Sequence, residues 1–83
     1  MSSHDGGQRS TIRIAALGER ERVRGFAFAG VHLAAAEDPD AARAAWRSLP
    51  GDVGLVILTQ AARAALAAEL AGQAQRLWVV MPA

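Results

Sequence analysis

Two uninterrupted apolar runs, Val53-Gly54-Leu55-Val56-Ile57-Leu58 and Leu77-Trp78-Val79-Val80-Met81, constrain this chain more than any other feature. Neither alternates apolar with polar residues. A short continuous apolar run of this kind is the pattern of a strand buried on both faces, as in a parallel sheet covered by helices. Parallel strands need crossover connections, and the segments around these two runs supply them.

Thr11-Ile12-Arg13-Ile14-Ala15-Ala16-Leu17 begins with alternation and reads as a first strand ending at Gly18. A short helix follows, from Glu19 or Arg20 to Phe28 or Ala29. Glu19 and Glu21 fall in its first turn, where the helix dipole favours acids, and Gly30 is placed as its C-terminal cap. Gly25 inside this helix costs up to ~1 kcal/mol relative to alanine; close backbone approach to a strand is the expected reason for it. Val31 to Ala35 forms the second strand. Asp38 then suits an N-cap and Pro39 the first helical position. The helix they start carries Ala42, Ala45, Trp46 and Leu49 as an inward stripe and ends at Pro50-Gly51. Thr59 is placed to cap a third helix, Gln60 to Ala71, with Ala62, Leu66 and Leu70 inward and Gly72 as its stop. Leu77 to Met81 is the fourth strand.

The order βαβαβαβ predicts an α/β fold of flavodoxin-like or Rossmann-like type, a parallel sheet with helices on both faces. With strand order 2-1-3-4, right-handed crossovers put the first helix on one face and the second and third on the other. The first helix then leaves strands three and four uncovered on its side, although both runs are apolar throughout. A partner, a second copy or a further C-terminal segment is expected to cover that surface.

At 83 residues the chain accommodates one domain, residues 11–83, preceded by a tail, Met1 to Ser10, that lacks the apolar core of a secretion signal. Alanine supplies much of the 52% hydrophobic content, so Trp46, Trp78, Phe26, Phe28 and the Leu, Ile and Val residues must carry the core. So thin a core favours a partner or an oligomer. There is no cysteine, which excludes disulfides and thiolate metal sites. All basic residues are arginine, spread along the chain and mostly near acids. A net charge of +1 leaves no basic footprint for nucleic acid. No run approaches the ~20 apolar residues of a membrane helix. The expected location is cytoplasmic.

The sequence shows no catalytic machinery. Gly18 and Gly25 are too far apart for a dinucleotide fingerprint, and there is no phosphate-binding loop. Leu58-Thr59-Gln60 stands where a phospho-receiver would carry a carboxylate. His4 lies in the tail, His32 reads as a strand residue, and Thr59 is explained as a cap. Backbone amides at Gly18-Glu19 offer an anion site in principle, opposed by Glu19 and Glu21. No metal or cofactor site is expected.

Gly25-Phe26-Ala27-Phe28-Ala29-Gly30-Val31 resembles the Gly-Phe-x-Leu-Ala-Gly-Val/Leu signature of the F subunit of V-type and archaeal A-type ATPases, with Phe28 in place of leucine. Asp52 to Thr59 is similar to that family's third strand, and Val79-Val80-Met81-Pro82 to the end of its fourth. The resemblance spans Ile12 to Pro82. It implies a non-catalytic rotor subunit of the central stalk, bound to the coiled-coil D subunit and facing the ATPase head. Such a subunit contributes to coupling ATP hydrolysis or synthesis to ion transport, peripheral to a membrane-bound complex and without membrane insertion. Family members continue into a C-terminal segment with a further helix. This sequence ends at Ala83, so regulation by that arm is not carried over.

Phe28, Trp78 and Val80 are the expected partner-binding residues, as apolar side chains beside the uncovered face. A one-residue slip in strand parity would exchange the faces. The alternatives are a stand-alone homo-oligomeric flavodoxin-like module that buries its open face against itself, and a small-ligand-binding protein.

Overall fold

The computed structural model describes residues 12–82, excluding the side chain of Phe28. The expected tail, Met1 to Ser10, lies outside the described residues. Four parallel strands form one sheet in the order β2-β1-β3-β4: β1 Arg13–Gly18, β2 His32–Ala35, β3 Val53–Leu58 and β4 Leu77–Val80. This is the flavodoxin-like 2-1-3-4 topology.

The first connection is α1, Arg20–Val23, continued by a 3-10 segment, Arg24–Ala29. One regular helix was expected over this span. Gly30 ends the segment at φ 76°, a left-handed conformation that suits glycine. The close approach expected at Gly25 is not found: a Cβ placed there meets no atom within 4 Å. Gly25 is exposed, and no packing contact offsets its lower helix propensity.

Helix α2, Pro39–Arg47, starts as the sequence predicts. The Asp38 side chain accepts a hydrogen bond from the Ala41 amide at 2.8 Å, with Pro39 in the first turn. Ala42, Trp46 and Leu49 are buried and Ala45 is half-buried. The expected third helix is divided at Leu66 into α3, Gln60–Ala65, and α4, Ala67–Ala71. Its predicted inward residues Ala62, Leu66 and Leu70 are all buried nonetheless. Thr59 caps α3 through Oγ1, which accepts from the Ala62 amide at 3.2 Å.

The core lies on one side of the sheet. Ala15, Leu17, Val53, Val56 and Leu58 pack against Ala42, Trp46, Leu49, Ala62, Leu66 and Leu70 of the α2–α4 layer. On the other side α1 packs over β1 and β2 and buries Val23, with Ala16 fully enclosed beneath. Burial of β3 on both faces is therefore only half met: Val53, Val56 and Leu58 are buried, while Gly54, Leu55 and Ile57 are half-exposed. The α1 layer packs mainly on β1 and β2, and its Arg22 side chain reaches the Pro82 carbonyl after β4.

Candidate interaction surface

Pairing register identifies the side chains on each face. Leu55 pairs with Leu77 and Ile57 with Val79, whereas Val56 pairs with Trp78 and Leu58 with Val80. Side chains alternate along a strand, and neighbours in register share a face. Leu55, Ile57, Leu77 and Val79 therefore lie on the side that α1 leaves open. Leu77 is 71% exposed and Val79 50%. Ile12, 61% exposed, extends the surface. The β1–β3 register shifts between Arg13 and Ile14, which makes Gly54 an extra residue in β3. A Cβ at Gly54 would lie 2.6 Å from Ile12 Cγ2, so its glycine leaves room for the Ile12 side chain.

The expected placement of Trp78 beside the uncovered face is corrected. Trp78 is half-buried and packs against the α2–α4 core, with the Arg63 guanidinium 5.9 Å from its ring centre. Val80 shares that face and is 37% exposed at its rim. Leu77 and Val79 hold the positions intended for these two residues. The reason is strand phase: an apolar run without alternation carries no sign of which residue faces which layer. Phe28 lies on the 3-10 segment, and its side chain is outside the described set.

Beside this surface Arg76 is turned inward. Its Nε donates to the Val53 carbonyl and its Nη2 to the Pro50 carbonyl, both at 2.8 Å. Its guanidinium lies 5.5 Å from the Trp46 ring centre. Gln73 clasps the Arg76 backbone from both sides, accepting from the amide at 3.0 Å and donating to the carbonyl at 3.1 Å. Arg76 thus departs from the solvated surface expected of the arginines and anchors the start of β4. At the other end of the strand, Arg22 of α1 donates to the Pro82 carbonyl at 3.3 Å.

The C-terminal ends of β1 and β3, where the chain changes direction in the sheet, are the usual ligand position in open α/β folds. Here Gly18, Glu19 and Thr59 meet. A Cβ on Gly18 would lie 2.7 Å from Thr59 Cβ, so glycine is required by contact. The Thr59 hydroxyl beside Glu19 is the main influence holding that carboxyl below its ordinary value of 4.5, followed by the Glu19 backbone amide. Glu19 Oε1 is buried without a partner. The neighbouring hollow, about 100 Å³, is lined by Glu19, Glu37, Asp38, Pro39 and alanines. The Arg20 amide at the start of α1 donates to Glu37 Oε2 at 2.9 Å. An internal carboxylate thus occupies the helix terminus weighed as an anion site. Among the described residues no group of three His, Cys, Asp or Glu side chains is arranged to hold a metal ion.

A second hollow, about 540 Å³, lies at the opposite ends of the strands, between Ile12, Ile14 and the Ala29–Val31 turn. The exposed Arg13–Asp52 ion pair, at 3.2 Å, borders it. Among the described residues no helix is long and apolar enough to cross a membrane. A scan against protein-family models finds no match to the chain. A search of curated proteins finds none either.

Proposed function

We propose that this chain is a non-catalytic binding subunit of the F type in the central stalk of a V/A-type rotary ATPase. The observation that carries the reading is the open apolar surface of Leu55, Ile57, Leu77 and Val79. At the usual ligand position of this sheet Glu37 takes the first amide of α1 and Thr59 caps α3. The Gly25-to-Val31 motif and its place before β2 support the same family.

In this reading the open face rests on the coiled-coil D subunit, below the ATPase head. The sheet contributes to coupling ATP hydrolysis or synthesis to ion transport through shape and packing. Trp78 acts from within, bracing β4 against the core while Leu77 and Val79 meet the partner. The chain sits in the cytoplasm, peripheral to the membrane-bound complex. No cofactor takes part.

Co-purification with a D-type coiled-coil subunit tests this. The expected result is a stable complex that Leu77→Asp disrupts while the fold is kept. Failure to bind under conditions where a longer F subunit binds would sink the reading for this chain.

A further inference from the structure

We propose that the free edge of β4 takes up an acidic extended peptide as an added antiparallel strand. The binding groups are backbone amides and carbonyls at the rim of the sheet, not the open face, so the proposal stands apart from the coiled-coil reading.

Strand phase identifies those groups. Successive residues of a strand point their N–H and C=O groups to opposite edges. β4 lies at the end of the sheet and pairs only with β3. The Met81 amide donates to the Leu58 carbonyl at 2.8 Å. Leu77, Val79 and Met81 therefore turn their backbone groups to β3, and Arg76, Trp78, Val80 and Pro82 turn theirs outward.

Both ends of this edge are closed. At Arg76 the Gln73 side chain stands where a neighbouring strand would, meeting the amide and the carbonyl together. Pro82 has no N–H to offer, and its carbonyl accepts from Arg22. Proline at an outward-facing position is a common guard of an edge strand. Between these ends, among the described residues, no hydrogen bond from outside the sheet reaches the backbone of Trp78 or Val80. Their two amides and two carbonyls face outward in strand geometry, and an added strand satisfies all four.

Charge selects the ligand. Arg63 of α3 sets its guanidinium 5.9 Å from the Trp78 ring centre. The described acids are mostly engaged elsewhere. Glu21, Asp40 and Asp52 pair with Arg24, Arg43 and Arg13, and Glu37 and Asp38 accept from backbone amides. Glu19 lies near Arg22, which leaves Arg63 as the selecting charge beside β4. Residues directly opposite in an antiparallel pair share a face. Carboxylates opposite Trp78 and Val80 therefore meet Arg63, and apolar residues between them extend the row of Leu77 and Val79. Acetyl-Val-Glu-Val-Glu-Val-amide has this pattern and fits between Gln73 and Pro82.

Titration of the isotope-labelled chain with this peptide, followed by NMR, tests the proposal. The expected result is saturable binding that slows amide exchange at Trp78 and Val80 and not at Leu77 and Val79, whose amides already serve β3. Methylating the two glutamate nitrogens of the peptide weakens binding by about tenfold or more, and methylating the central valine nitrogen, which points away, does not. Val80→Pro removes an outward donor while leaving the β3 ladder in place, and it weakens binding to a similar degree. Arg63→Glu, or lysine in place of both peptide glutamates, does the same. If Val80→Pro misfolds by circular dichroism, the methylated peptides decide the matter on the unaltered chain. No binding up to millimolar peptide, binding that survives methylation of the glutamate nitrogens, or protection at β2 instead overturns the proposal. Equal binding of the lysine peptide overturns the choice of an acidic ligand.

Discussion

Thr59 performs two tasks with one hydroxyl: its oxygen accepts from the Ala62 amide, and the same group holds down the Glu19 carboxyl pKa. Gly18 leaves the space that side chain occupies. Gly18→Ala is expected to destabilise the fold by about 1–3 kcal/mol through overpacking, and Thr59→Ala by about 1 kcal/mol through loss of the cap. Because the two changes share a contact, the double variant costs less than their sum, which urea unfolding of the four-member cycle measures. The lowered Glu19 pKa has a defined sign. Between its folded value and its unfolded value the unfolded chain binds more protons, so stability rises with pH there. The contribution is complete above the unfolded pKa and is lost as pH falls through the folded one. Thr59→Val is expected to flatten this acid slope in urea midpoints measured across the carboxylate range; an unchanged slope would remove Thr59 as the cause.

Among the elements, the first crossover and the last strand differ in how they are held. The α1/3-10 segment bears Gly25 with open space around it and no positive φ. Gly25→Ala should therefore stabilise by up to about 1 kcal/mol, seen as a higher melting temperature. β4 instead depends on the clasp formed by Arg76. Removing two hydrogen bonds from a charged donor in Arg76→Ala is expected to cost about 2 kcal/mol. Amide exchange should then accelerate in Leu77–Val80 more than in β1. The start of α2 was legible in Asp38-Pro39 because caps act through neighbours in sequence. Arg76 was not, since its carbonyl partners lie 23 and 26 positions away.

For the whole molecule, the two faces of β4 provide the contrast. Trp78 packs on the core and Leu77 projects from the other side. Trp78→Ala is expected to cost about 2 kcal/mol, and Leu77→Ala less than about 0.5 kcal/mol. Parallel denaturation curves check the assignment, and equal losses would reverse it. The sheet is covered more by α2–α4 than by α1, so the main core and the open apolar surface lie on opposite sides. Substitutions that test the proposed partner surface are best made at Leu77 and Val79, which are exposed.

By itself the sequence determined the alternation of strands and helices and the parallel sheet, and, once strand order 2-1-3-4 is taken, the gap over β3 and β4. Those follow from local periodicity, caps and the handedness of crossovers, which need no coordinates. Only the tertiary structure decided which side of β4 fills the gap. Leu77-Trp78-Val79-Val80 is apolar at every position, so register with β3 alone sends Trp78 inward and leaves Leu77 and Val79 outside. It also decided that Gly25 meets no neighbour and that Glu37 occupies the α1 terminus, because both depend on segments brought together by the fold.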